Sequence, residues 1–427
     1  MKNQLNNNAN NESKFSKEQL DSIEYVTPIK REKHKKSESG HSSTKEVLED
    51  SNDYVFAKPH KKIHNEKKKM SRPLKITVIV FSVIALILIL SVTSVVIFNQ
   101  IGKSQMHDYE NMNIDPYSNT LDELDGSSTG GIDGIESVSN NGKTIKYKGT
   151  TYNFNEDVAT VVFMGVDTTD PQYKSTTIGK GGQADVIYVA VIDTKNSKLS
   201  MLNVSRDTMV DVDVYNTEGG FVRTEPMQVC LSYAYGDGKE KSCENTLNSL
   251  ERILFGVEFN TYYSIDQNCI VPLNDAIGGV TVTSSYDFES ENYGSVKKGE
   301  TVTLHGKDAI RYIRPRDTSK LDSNSDRMKR QQEYLRGFFA QAIPAVKKDK
   351  SVVTDLMGTI SDNSTTNLNA SKATYLTTTA LRHLDSYKDI EFVNIEGKFK
   401  KGEYAEFYPD QQKLFENMLS LFYNAEK

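Results

Sequence analysis

Residues 185–207 read DVIYVAVIDTKNSKLSMLNVSRD. Two runs of strand length, rich in β-branched and apolar residues, flank the polar turn TKNSK, which is the pattern of a β-hairpin. With the turn centred near Asn196, Asp185 lies 11 residues before it and Arg206 lies 10 after it. The two side chains therefore arrive at the same end of the hairpin. Upstream, residues 160–167 read TVVFMGVD, another apolar run of β-branched character that ends at Gly165 and Asp167. If this run is parallel to LSMLNV, Asp167 joins Asp185 and Arg206 on one sheet rim, where open α/β proteins bind ligands.

Toward the C-terminus, CENTLNSLERILFG places Leu247, Leu250 and Leu254 on one helical face, with Ser242 as the expected cap and Gly256 as the stop. FNTYYSI predicts a strand, residues 266–277 a short helix, and GGVTVT another strand. The helix GKDAIRYIR runs into Pro315, which halts it. From Asp326 the run DRMKRQQEYLRGFF is helical, with Arg327, Arg330, Gln331 and Tyr334 sharing a face at i, i+3, i+4 and i+7. Its apolar side is Met328, Leu335 and Phe339. Alternating strands and helices predict an α/β fold with a mixed sheet, and the roughly 275 residues involved are enough for a sizeable core.

Nearer the N-terminus, residues 76–98 read ITVIVFSVIALILILSVTSVVIF, 23 residues without a charge. At about 1.5 Å per residue this exceeds the ~30 Å hydrocarbon core, so one transmembrane helix is expected. It lies too far from the N-terminus and is too long for a secretory leader. Lys61, Lys62, Lys67, Lys68, Lys69, Arg72 and Lys75 precede the span, whereas Lys103 is followed by Asp108, Glu110, Asp115, Asp122, Glu123 and Asp125. That asymmetry places the N-terminus in the cytoplasm and the rest outside a single-pass cell-membrane protein. A basic run beside a span reads as a topology signal or anionic-lipid contact, so no nucleic-acid partner is expected. Residues 1–70, rich in Asn, Lys, Ser and Glu, predict a disordered cytoplasmic tail. Residues 99–150, polar and Gly-rich, predict a flexible extracellular stalk, which leaves 151–427 as the extracellular domain.

Arg206, Arg314, Arg316, Arg327 and Arg330 lie at a strand end, in an Arg-Pro-Arg step and on one helix face. Guanidinium forks suit phosphate, and several together suit a polyanion; equally, such arginines pair with Asp207, Asp317 and Asp326 beside them. Asp167 and Asp185 are either turn acids or ligands of a hard cation such as Mg²⁺. Cys230, Cys243 and Cys269 allow a bridge between the first two or three free thiols. No CxxC, HExxH or Ser/His/Asp spacing appears.

In order along the chain stand Gly165-x-Asp167, Asp185, Ser205-Arg206-Asp207-Thr208, Ser232-Tyr233-Ala234-Tyr235-Gly236, Asp275-Ala276-Ile277-Gly278-Gly279-Val280, Tyr312-Ile313-Arg314-Pro315-Arg316 and Asp326-Arg327-Met328-Lys329-Arg330-Gln331-Gln332. This succession, behind a single anchor, resembles the LytR-CpsA-Psr family of bacterial cell-wall enzymes. The resemblance runs from about Thr160 to Leu335, and the tail IEGKFKKGEYAEFYPDQQKLFENMLSLF resembles the family's ending too. It implies a three-layer α/β/α fold around a central mixed sheet. It also implies transfer of an anionic glycopolymer, such as wall teichoic acid or capsule, from an undecaprenyl-pyrophosphate carrier to a peptidoglycan hydroxyl. By the same resemblance Asp167 and Asp185 hold Mg²⁺ or Mn²⁺. Arg206, Arg314 and Arg316 are catalytic and bind pyrophosphate with Arg327, Arg330 and Gln331, while Asp185, or Asp207, helps deprotonate the acceptor. Two positions depart from the family: Gln183 stands where an Arg is usual, and Gln228-Val229-Cys230 where Lys-x-Asn is usual. The competing readings are a non-catalytic envelope protein that binds lipid-linked intermediates or regulates wall synthesis, and a lipid-pyrophosphate hydrolase.

Overall fold

The computed structural model describes residues 72–117, 132–168, 175, 177–216, 218–317, 320, 322–362, 364–383 and 390–426. The expected cytoplasmic tail lies outside them. Helix α1 (Arg72–Met106) carries the apolar run and continues past it. Among the described residues one stretch, Leu86–Met106, is long and apolar enough to cross a membrane.

Strands β1 (Ile135–Ser139), β2 (Thr144–Tyr147) and β3 (Thr150–Phe154) form an antiparallel meander. Then come β4 (Val158–Val166), β5 (Ala184–Asp193) and β6 (Lys198–Val204). The β5–β6 hairpin pairs from Ile187↔Val204 to Asp193↔Lys198, so its turn is the TKNS of 194–197. Because β4 is antiparallel to β5, it runs in the same direction as β6, and Asp167 lands on the rim with Asp185 and Arg206. The hairpin β7 (Met209–Tyr215) and β8 (Phe221–Gln228) leaves from that rim, followed by α2 (Cys230–Ala234) and α3 (Glu240–Ile253). Ser242 does not cap α3. It lies in the first turn, where its hydroxyl donates to the Tyr233 carbonyl and accepts from Gly238 N–H.

Strand β9 (Tyr262–Asp266) adds parallel to β4, and α4 (Ile270–Ala276) follows. A small lobe is built from β10 (Val280–Thr283), β11 (Phe288–Ser290), β12 (Gly294–Val296), β13 (Thr301–Leu304) and α5 (Lys307–Ile313). The long helix α6 (Ser323–Lys348), α7 (Ser351–Asp362), β14 (Ser364–Thr366), α8 (Ala370–His383) and β15 (Glu391–Asn394) return to the main sheet. The hairpin β16 (Gly397–Lys401) and β17 (Ala405–Pro409), then α9 (Gln411–Phe422) and β18 (Tyr423–Ala425), complete the chain. The central sheet has the order β14-β9-β4-β5-β6-β15 and is mixed.

Strand alternation sends successive side chains to opposite faces. Val162 and Met164 of β4 and Val189 and Val191 of β5 meet α3 and α9 through Leu250, Phe415 and Met418. Ala159 and Val161, with Tyr188 and Ala190, face α6 and α8 through Leu335, Phe339 and Tyr375. Helices thus cover both faces, which gives the three-layer α/β/α architecture expected.

The expected stalk needs correction. Of residues 99–150, positions 118–131 lie outside the described residues, but the remainder is part of the domain. Tyr109, Met112, Ile114, Ile145 and Tyr147 are buried in the main core. Asp115 N–H donates to the Phe255 carbonyl at 2.9 Å, and the Tyr109 hydroxyl donates to Val158 O at 3.0 Å. The turn ending α3, with Phe255 at φ 57° and Gly256 at φ 92°, packs so closely on Asn113 that a β-carbon at Gly256 would strike its carbonyl. A polar average over 99–150 hid a few large apolar anchors, and the ordered domain begins well before residue 151.

Candidate active site at the sheet rim

The pairing of β4 with β5 shifts at the rim: Gly165 opposes Val186, and Val166 opposes Ala184. Asp185 is therefore the extra residue of a β-bulge, a device that re-aims a side chain at the end of a ladder. Turned out of the core, its carboxylate sits between two arginines. Arg206 Nη1 donates to Oδ1, while Arg327 Nη1 donates to Oδ2 at 3.1 Å and its Nη2 to the Asp185 carbonyl at 3.2 Å. Arg327 also donates to Asn324 Oδ1, and Asn324 Nδ2 donates to Ser205 Oγ at 3.1 Å, so the arginine is held from both sides. Burial lowers the Arg327 pKa, and Asp185 opposes that effect.

Arg206 Nε lies 3.5 Å from Asp207 Oδ1. Asp207 is buried and its Oδ2 has no hydrogen-bond partner. Burial pushes its carboxyl above the usual range against the pull of Arg206, Arg316 and Arg327. Arg206 also reaches Gln183 Oε1 and, at 3.3 Å, Cys230 Sγ. Burial pushes that thiol up to about 12, so it is neutral at physiological pH. All three cysteines are buried and none is in a disulfide; the alternative of a Cys230–Cys243 bridge is not realised.

Asp167 accepts Gln183 N–H on Oδ1 at 2.7 Å. Arg314, exposed, donates to Gln267 Oε1 at 2.6 Å, and Arg316 is exposed next to Pro315. Arg327 and Gln331 are buried side chains of one α6 face, as expected. Arg330 is not part of this group. It turns to the edge of the same face, donates to the carbonyls of Tyr312 and Pro315, and stacks 4.4 Å from the Tyr286 ring centroid. Its role is to hold the Arg-Pro-Arg segment, which corrects its expected place at a ligand. Gln228 is likewise taken up by the fold, its amide donating to Ala405 O at 2.5 Å.

Behind the rim the sheet and helices enclose a cavity of about 380 Å³. Asp167, Asp185, Arg314, Arg327 and Gln331 line its polar end, while Tyr188, Met201, Tyr263, Leu335, Phe339 and Ile360 line its apolar depth. The sequence carried no signal for this hollow, since its walls come from elements far apart in the chain. The arrangement suits an amphiphile with an anionic head at the arginines and an apolar tail inside.

The two rim carboxylates offer hard oxygen donors, but both Asp185 oxygens are engaged by guanidiniums. Among the described residues no group of three or more His, Cys, Asp or Glu is arranged for a metal. The donor set fits Mg²⁺ or Mn²⁺ if ligand phosphate oxygens and water complete the shell.

The family model described as the LytR_cpsA_psr family matches residues 128–421. The chain is 28% identical over 218 residues to the polyisoprenyl-teichoic acid–peptidoglycan teichoic acid transferase TagU of Bacillus licheniformis, covering 50% of this chain and 61% of that one. It is 26% identical to the biofilm regulatory protein A of Streptococcus mutans, covering 56% of each. The chain thus spans less than two thirds of the length of these curated relatives. A solved structure of TagV from Bacillus subtilis aligns with a TM-score of 0.47 at 20% identity, covering 62% of this chain and 96% of that one.

Proposed function

The chain belongs to the LytR_cpsA_psr family, and on that premise we propose that it is a phosphotransferase, moving an anionic glycopolymer from an undecaprenyl-pyrophosphate carrier to a peptidoglycan hydroxyl. The observation that carries this reading is the joining of an apolar cavity to a rim of arginines at one mouth. A polyprenyl pyrophosphate has the matching division, a long apolar tail and a doubly charged head.

In the proposed reaction the acceptor oxygen bonds to the polymer-bearing phosphorus, the pyrophosphate P–O bond breaks and the carrier leaves as undecaprenyl phosphate. Arg206 and Arg327 neutralise the pyrophosphate meanwhile, and Arg314 and Arg316 close on it from the exposed side. Asp185 orients Arg206 and Arg327 before the ligand arrives, so little reorganisation is needed when charge develops on the transferred phosphoryl group. Asp167 and Asp185 would hold Mg²⁺, which supplies further charge stabilisation to the phosphoryl oxygens when bound. Asp185, which is partly exposed, is better placed than buried Asp207 to take the acceptor's proton once the pyrophosphate draws Arg206 or Arg327 off one of its oxygens. With α1 as the anchor, the domain would lie outside the cell, on the side where peptidoglycan is found.

Gln183 and Gln228 favour a second, non-catalytic reading in which the site binds lipid-linked intermediates without turnover. Both replace a cation expected near the pyrophosphate, and both amides are used within the fold. Incubation with a lipid-linked oligosaccharide and peptidoglycan fragments separates the readings. Polymer joined to glycan supports transfer, released polymer supports hydrolysis, and binding without turnover supports the second reading.

A further inference from the structure

Helix α8 runs antiparallel along the domain-side end of α1. Gln105 accepts from Asn369 at 3.0 Å, Gly102 lies against the Ser371 backbone and Tyr375, and Asn99 donates to the Thr378 hydroxyl. His107 completes the joint, bonding Glu156 O at 2.7 Å and the Tyr375 hydroxyl at 2.8 Å. With α1 as a membrane anchor, this contact bears on where the bilayer would end. Asn99, Gln105 and His107 are engaged with a polar helix, which hydrocarbon would not tolerate. The hydrocarbon would then stop near Phe98, inside the longer Leu86–Met106 stretch, with exposed Phe98, Ile101 and Lys103 in the interface.

From Thr378, α8 continues back along α1 toward the span. Leu381 lies three residues further on, about 4.5 Å closer to the bilayer centre at helical rise. That level is near Val95 and Phe98 of α1. Leu381 is 49% exposed, and Arg382 beside it is exposed. A Leu–Arg pair there matches the acyl boundary below and lipid phosphates beside it, since Arg keeps its head in the interface while its stem follows apolar surface.

We propose that the last turn of α8, through Leu381 and Arg382, is a second membrane contact that seats the domain on the lipid leaflet at its side of the bilayer. The proposal rests on α1 being a membrane anchor, not on the chemistry of the rim. Nothing else in the domain needs to enter the bilayer for this contact to form.

The test uses the full chain in nanodiscs of phosphatidylcholine and phosphatidylglycerol, spin-labelled at Leu381→Cys, Val95→Cys or Tyr404→Cys; the native thiols are buried. Tyr404, 69% exposed on the β16–β17 turn, reports the aqueous reference, and Val95 the membrane reference. Collision rates with oxygen and with a water-soluble nickel chelate are measured for each. The contact requires the Leu381→Cys label to be shielded from nickel several-fold more than Tyr404→Cys and to approach Val95→Cys. A Leu381→Cys label as nickel-accessible as Tyr404→Cys, with Val95→Cys still shielded, overturns the contact and leaves the anchor standing. If Val95→Cys is itself nickel-accessible, the anchor fails and the contact with it. An Asn99→Cys/Thr378→Cys pair that does not cross-link on oxidation removes the docking of α8 on α1 and also overturns it.

Discussion

The central sheet offers nearly the same strands to both of its faces, yet one face is filled and the other is partly hollow. Toward α3 and α9, Phe415, Phe422, Leu250 and Ile253 leave no exposed surface. Toward α6 and α7, Leu335 and Phe339 are only partly buried against the sheet and also border the cavity. Packing to crystal-like density gives stability, and a void forfeits it. The first face therefore holds the fold, while the second gives up contacts for a binding space.

The largest expected effect tests that division directly. Phe415→Ala on the filled face should cost about 3–5 kcal/mol of unfolding free energy in chemical denaturation, because the ring packs edge-on against Tyr147 and Phe255. Leu335→Ala on the hollow face should cost about 1 kcal/mol or less, since Leu335 is only partly buried and already borders open space. Equal losses would mean that the cavity closes in solution.

The rim acids give a smaller contrast. Asp185→Ala leaves Arg206 and Arg327 without their shared carboxylate and should lower stability by about 1–3 kcal/mol. Asp167→Ala, which loses a single backbone contact at an exposed position, should be near neutral. Both should lose divalent-cation binding, measured by calorimetry with Mn²⁺ in the presence of a pyrophosphate ligand. Retention in both variants would remove the cation from these acids.

Next in size, Leu335→Trp should fill the hollow at a stability change of about 1 kcal/mol while weakening a lipid-linked donor at least tenfold, about 1.4 kcal/mol. Unchanged binding would place the lipid tail elsewhere.

The smallest effect lies under the filled face, where burial pushes the Glu251 carboxyl up to about 6. Its folded-state pKa is raised, so its contribution to stability is fully present below about pH 4.5 and is lost as pH rises through about 6. Glu251→Gln should flatten the stability–pH curve across that window by on the order of 1 kcal/mol. The Phe259 N–H, now bonded to Glu251 Oε1, can still find an acceptor on Gln.

Much of this was legible in residues 185–207. Counting from the turn brought Asp185 and Arg206 together correctly, because pairing register fixes which residues meet across a hairpin. The bulge that turns Asp185 toward Arg327 was not legible, as it depends on how β4 pairs with β5 at the rim. Helical spacing put Arg327, Arg330 and Gln331 on one face, and the family resemblance put all three at the site, whereas in the fold Arg330 turns to Tyr312 and Pro315. A face defined by i, i+3 and i+4 is wide enough for its edge to serve a different neighbour. The apolar anchors Tyr109, Met112 and Ile114 were diluted by acids between them, so a compositional reading made a tether of a segment that packs as core.

Gly102 has a mechanical consequence. Pressed against the α8 backbone, it lets the domain-side end of α1 dock closely on the domain. With α1 as a membrane anchor, a tilt that matches it to a thinner bilayer would carry the docked α8 with it as a lever.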